Sequence, residues 1–176
     1  MNPTEALIGR APFCLLDIET TGFSAESHEI TEIAAIRVGA DLEILEETSC
    51  LIRIEKPVPY QITRITGITD QLLRTKGRAL HESLRDIHHF THAHTTFAHN
   101  AKFDQSFLNA SAQRIGLRTN FQLKCSIPVF KRLLPGHRSY GLPKLVAALG
   151  LNDRGAHRAL ADCRMLLECL RRAHGG

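Results

Sequence analysis

The stretch FCLLDIETTGF, Phe13 to Phe23, decides how this chain is read. It opens as an apolar run of strand character. Side chains on a strand alternate between faces, so Phe13, Leu15, Asp17 and Glu19 share one side and Cys14, Leu16 and Ile18 the other. Both sides of the first part are apolar, the pattern of a central strand covered on both faces. The acids stand at its end, where the chain breaks at Thr20-Thr21-Gly22, and strand ends are where ligands bind in sheets of this kind. Neighbouring carboxylates repel one another and resist desolvation. The pair is therefore either solvated at a rim or neutralised by a divalent cation, and alone it does not choose between them.

Working outward, Ile30 to Val38 in EITEIAAIRVGA reads as a second strand and Leu45 to Ile54 as a third, with a turn at Ala40-Asp41. EKPVPYQITRITGIT reads as a Pro-rich connection that turns at Gly67. Leu80, Leu84 and Ile87 recur at helical spacing, which predicts an amphipathic helix over Arg78 to Thr91. TTFAHN is a short strand, Phe103 to Ile115 a helix and FQLKCS another strand. Helices follow to Leu134, over Leu142 to Leu149 and from about Arg158 to Arg172. Three strands followed by helices alternating with single strands predict an α/β fold. Its mixed sheet has about five strands, an antiparallel meander joined to parallel crossovers, flanked by helices.

With 176 residues and a 43% hydrophobic share, the chain is expected to form one domain, 1–176, with a substantial core. No signal-like start and no apolar run of roughly 18 residues is present, so no membrane partner is expected. Five cysteines form no CxxC pair or zinc spacing and fit reduced thiols in a cytoplasmic setting. The sequon at Asn109 falls within a predicted helix. Charge is uneven. Residues 1–113 carry 10 Lys/Arg and 15 Asp/Glu, a net −5, and residues 114–176 carry 12 and 3, a net +9. The basic end is either a solvated surface or the approach for a polyanion. In the second case Arg114, Arg118, Lys124, Lys131, Arg132, Arg138, Lys144 and Arg158 would follow a phosphate backbone.

Two more acids interrupt apolar helix faces. Asp104, in AHNAKFD, falls beside Leu108 and Ile115. Asp162, in GAHRALADC, falls on the side of Met165, Leu166 and Cys169. An acid on an inward face is paired, metal-bound or at an opening to solvent. His157 precedes Asp162 by five residues, about 140° away on a helical wheel, so it belongs on the turn before the helix. Asp17, Glu19, Asp104 and Asp162 together need positive charge, and oxygen-only donors select Mg²⁺ or Mn²⁺. Two such ions clamp the attacking and leaving oxygens of a phosphoryl displacement, and a histidine suits proton removal from the attacking water. The pattern predicts metal-assisted phosphodiester hydrolysis. The histidines of HESLRDIHHFTHAH (His81, His88, His89, His92, His94) suggest a transition-metal site, but no acid or cysteine completes the set. A polar flank is the expected reading.

DIETTG, HNAKFD and HRALADC resemble the three motifs of the DEDDh 3′–5′ exonucleases, the proofreading-exonuclease and RNase T superfamily with a ribonuclease H-like fold. The resemblance runs from about residue 12 to 173, taking in EITEIAAIRV, RITGITDQLL and SYGLPKLVAALGL. It implies Asp17, Glu19, Asp104 and Asp162 as metal ligands and His157 as general base. It also implies Thr20, Thr21, Gly22 and Phe23 around the 3′-terminal nucleotide, Phe23, Ile65 and Phe103 against its base or sugar, and His99 and Asn100 beside the scissile end. Gln61 and Thr66 stand where relatives of the bacterial proofreading subunit often have Glu and His, and would still touch substrate. The expected activity is hydrolysis of terminal phosphodiester bonds with release of nucleoside 5′-monophosphates from a nucleic acid with a free 3′ end, DNA before RNA. Alternatives are an exoribonuclease of the RNase T or oligoribonuclease type and a non-catalytic nucleic-acid-binding module. The tail with which proofreading subunits bind the polymerase and the clamp is not expected here, and the oligomeric state is left open.

Overall fold

A computed structural model describes residue 9, residues 11–152 and residues 157–175. Five strands form one mixed sheet: β1 Phe13–Thr20, β2 Ile30–Val38, β3 Ile44–Leu51, β4 Thr96–Ala98 and β5 Lys124–Cys125, in spatial order β3-β2-β1-β4-β5. The first three make the expected antiparallel meander, while β4 pairs parallel with β1 and β5 parallel with β4. Seven helices are seen among the described residues: α1 Tyr60–Thr66, α2 Asp70–Lys76, α3 Leu80–Thr91, α4 Lys102–Arg114, α5 Ile127–Leu133, α6 Leu142–Ala148 and α7 Ala159–Gly175. None of the helices among the described residues is long and apolar enough to cross a membrane.

The alternation in β1 divides the interior. Phe13 and Leu15 face a core shared with Ala34, Ile36, Val38 and the α7 residues Cys163, Leu166 and Leu170. Cys14, Leu16 and Ile18 face a second core with Ile33, Ala35, Leu84 and Ile87 of α3, and Phe107 and Leu108 of α4. Leu15 and Leu16 are both fully buried, and each such side chain contributes about 1.5–3 kcal/mol. Burial on both faces fixes the register, because a one-residue slip would turn Asp17 and Glu19 into the wrong core.

Three expectations need correction. The Pro-rich connection folds into two short helices. Pro59 leads into α1, Gly67 closes it in the left-handed region at φ 72°, and the Thr69 side chain caps α2 by accepting from the Leu72 N–H. The third strand ends at Leu51, short of Ile54. FQLKCS pairs with β4 only at Lys124 and Cys125, because its first half is taken by side chains of α4. Asn109 exchanges two hydrogen bonds with the Phe121 backbone, and Gln105 accepts from the Leu123 N–H. The sequon asparagine is thereby engaged in the fold. All five cysteines are free thiols.

Candidate active site

The carboxyl end of β1 gathers the acids. Asp17 and Glu19 lie on the α7 side of the sheet, and Asp162 sits in the first turn of α7. One oxygen from each of Asp17, Glu19 and Asp162 lies within 4.8 Å of the other two. Asp104 comes from the first turn of α4, is 2% exposed, and accepts a hydrogen bond from the Ile18 backbone N–H. That contact places it at the strand position between Asp17 and Glu19.

Every one of these carboxyls is harder to ionise than usual. Asp17 is pushed well above the ordinary carboxylate range by burial, then by Asp104, Asp162 and Glu19 around it. Glu19 is pushed up to about 8 by burial and by Asp162 and Glu32, with Arg158 pulling the other way. Burial lifts Asp104 to about 7 against the backbone N–H groups that favour its charged form. Asp162 is raised by burial, with the His157 backbone N–H opposing. Acids converging this closely repel one another, and a divalent cation between them would offset that repulsion. The donors are oxygen only, so the residues fit hard cations.

A stability prediction follows. Glu19 and Asp104 titrate in the folded state near 8 and 7, against roughly 4.3 and 3.9 in an unfolded chain. Raised folded values favour the protonated form of the fold, so this stability is present below about pH 4 and is lost as pH rises through about 7 to 8. The melting temperature of the metal-free protein is expected to fall between about pH 5 and pH 9, and Mg²⁺ to restore it at the alkaline end. Calorimetry in chelator showing a flat profile there would contradict the electrostatic account.

His157 stands on the turn before α7, as its spacing predicts, and is exposed. It adopts φ 67°, a left-handed conformation that costs a non-glycine residue roughly 1–2 kcal/mol. Its backbone N–H donates to Asp162 Oδ1 at 3.3 Å. A cavity of about 290 Å³ is lined by Asp17, Asp162, His157 and His99 together with Leu142, Val146 and Met165. A larger cavity of about 520 Å³ is lined by His88, His92, His94 and Lys124, and none of these acids borders it. His88 and His92 stack with ring centroids 5.7 Å apart. Among the described residues, no three of the α3 histidines bring ligand atoms together as the three acids do.

The residues named for substrate fall into two groups. Thr20 Oγ1 donates to the Gly22 carbonyl at 2.6 Å, and Thr21 Oγ1 accepts the Glu29 N–H at 3.0 Å, so both hydroxyls shape the turn. A Cβ at Gly22 would lie 2.2 Å from the His28 ring, so a larger residue there requires that side chain to move. The Thr66 hydroxyl is buried, donating to Ile62 O and accepting the Ile68 N–H, and is not offered to a ligand. His99 lines the cleft with both ring nitrogens engaged, Nδ1 with Ser126 Oγ at 2.9 Å and Nε2 with Tyr140 O at 2.8 Å. A carbonyl only accepts, so Nε2 carries a proton, and burial lowers the pKa of the ring. Phe103 is half-buried against Phe107. In contrast, Phe23 is 90% and Ile65 54% exposed, so plain core packing does not describe them, and Gln61 and Asn100 are exposed as well.

Two residues of this neighbourhood carry more than their sequence suggested. Glu32 lies opposite Glu19 in the β1–β2 register, is 4% exposed and binds Arg158 through both oxygens, at 2.7 and 2.9 Å. The signal for Glu32 was an acid inside the otherwise apolar strand ITEIAAI. Arg158, expected on a phosphate backbone, is committed to that pair, and Arg114 donates to the Ala25 carbonyl. Lys131, Arg132, Arg138 and Lys144 remain exposed.

Comparison with known proteins agrees with this geometry. The RNase T family model, described as an exonuclease, matches residues 14–170. The PolC-type DNA polymerase III of Thermotoga maritima is 35% identical over 162 residues, 92% of this chain but 12% of that protein. The DNA polymerase III epsilon subunit of Treponema pallidum is 34% identical over 161 residues, 89% of this chain and 73% of that one. Exonuclease I of E. coli, solved in complex with a dA16 oligonucleotide, superimposes with a TM-score of 0.76 at 20% identity, over 92% of this chain and 40% of its own. The ribonuclease H-like sheet is shared with that solved structure, and the chain belongs to the DnaQ-like 3′–5′ exonucleases of the RNase T family.

Proposed function

We propose that this chain hydrolyses the terminal phosphodiester bond at the 3′ end of DNA, using two divalent cations, Mg²⁺ or Mn²⁺, and releasing nucleoside 5′-monophosphates. The observation that carries it is the convergence of Asp17, Glu19 and Asp162 oxygens within 4.8 Å, with Asp104 bonded to the strand between the first two. When bound, such ions activate a water and neutralise charge on the scissile phosphate and the leaving oxygen. Asp17, Glu19, Asp104 and Asp162 would hold them. His157 takes the proton from the attacking water, and its exposed turn leaves the imidazole free to pass that proton to solvent. The Thr20-Thr21-Gly22 turn lets a strand end come close to the acids, and the bare Phe23 ring offers a face for a base. Leu142, Val146 and Met165 keep part of the cleft dry, which strengthens charge interactions inside it. The choice of DNA rests on the relatives above, one a DNA polymerase and the other a DNA polymerase subunit.

The test is a 3′-labelled DNA oligonucleotide offered beside an RNA of the same sequence. Label released as mononucleotide with Mg²⁺ or Mn²⁺, abolished by chelation and restored by readdition, is the expected result. Intact DNA under both metals would refute the exonuclease assignment for this chain. Faster loss of the RNA label would refute the choice of DNA alone.

A further inference from the structure

We infer that Glu32 is a positioning residue for the reaction: it clamps the turn that carries His157 and so sets the general base over the acids. The inference rests on the role proposed for His157.

Glu32 binds the two residues that follow His157. Its Oε1 accepts from Arg158 Nη2 at 2.7 Å, and its Oε2 accepts from Arg158 Nε at 2.9 Å and from the Ala159 backbone N–H at 3.0 Å. One carboxylate thus holds the guanidinium in bidentate fashion and satisfies an orphan N–H at the start of α7. On the other side, Asp162 accepts the His157 N–H. His157 sits between these two anchors at φ 67°. A non-glycine residue persists in that region only where its surroundings over-determine it. The bonds of Glu32 supply that constraint directly after the strained residue.

Stability does not explain the arrangement. Removing a carboxylate from water costs several kcal/mol, and a buried ion pair is weak evidence of net stabilisation. Glu32 also crowds the site electrostatically, since it raises the pKa of Glu19. A fifth metal ligand is a poor description of it, because both of its oxygens are used by Arg158 and Ala159. What the pair provides is registry. It ties β2, in line with Glu19 across the β1–β2 ladder, to the first residues of α7. The strand bearing the metal ligands and the turn bearing the base are thereby held in one frame.

The experiment is a mutant cycle measured as kcat, KM and half-saturating Mn²⁺, with Glu32→Gln, His157→Ala and the double variant. Glu32→Gln keeps the shape and an acceptor for Ala159 but gives up the charge that holds Arg158. Supporting-residue losses run to about 10–100-fold, so kcat at saturating Mn²⁺ is expected to fall by about that factor, with KM unchanged. In the His157→Ala background the same change is expected to cost less than about 3-fold, since there is no base left to position. An equal loss of kcat at saturating Mn²⁺ in both backgrounds would overturn the positioning role. If His157→Ala itself leaves kcat intact, the failure lies with the base assignment instead. Arg158→Gln separates a folding defect from the effect sought. It leaves Glu32 and its bond to Ala159 in place, and the same pattern of loss is expected from it. Full kcat in folded Arg158→Gln would overturn the clamp.

Discussion

Asp17→Asn is expected to lower kcat by at least about 10³-fold and, in the same protein, to raise the melting temperature measured in chelator. The first effect follows from the place of Asp17 among the acids, where it shares a 4.8 Å neighbourhood with Glu19 and Asp162. Losing a ligand forfeits several kcal/mol of charge stabilisation at the reacting phosphate, and each 1.36 kcal/mol is tenfold in rate. The second effect comes from the same repulsion. Burial, Asp104, Asp162 and Glu19 all disfavour the charged form of Asp17. A neutral amide of nearly equal size removes that penalty from the metal-free fold. For a domain of this length each kcal/mol relieved is worth roughly 2–4 °C. Function and stability thus pull in opposite directions at one side chain. A variant that melts below the wild type in chelator would refute the repulsive cluster, and one that keeps a tenth of wild-type kcat would refute Asp17 as a ligand.

His157→Ala is expected to cost about 10²–10⁴-fold in kcat near neutral pH, the range of a positioned general base. The half-saturating metal concentration should move little, because the hydrogen bond to Asp162 comes from the His157 backbone N–H and alanine keeps that group. The deficit should shrink as pH rises, since hydroxide replaces the proton transfer that the imidazole performs. A pH–rate series on both proteins measures this. A constant ratio from acid to alkaline pH would argue against base catalysis, and a weaker metal requirement would show His157 acting on the ions instead.

The parts of the fold that were legible in sequence are those where one interaction dominates. β1 and β2 were readable because burial on two faces demands an unbroken apolar run. Asp104 and Asp162 stood out because each interrupts a helical stripe. The short α1 and α2 were missed because they lie in a Pro-containing segment and are built from caps at Gly67 and Thr69 more than from a repeating apolar face. The shortness of β5 was hidden because Asn109 and Gln105 are distant in sequence from the backbone they bind. Arg158 was misplaced for a like reason. Its partner Glu32 lies 126 residues away, and nothing local to a basic residue says which acid it will meet.

The acids come from β1, α4 and α7, and Asp162 follows Asp17 by 145 residues. Closing so large a loop is among the costlier and slower events in assembling a chain, well after the β1–β2 hairpin can pair. During synthesis, Asp17 and Glu19 are made long before the segment that supplies Asp162. A partly made or partly folded chain therefore holds only fragments of the centre. The proposed centre is complete only while α7, which supplies Asp162, is docked beside the strand that carries Asp17 and Glu19.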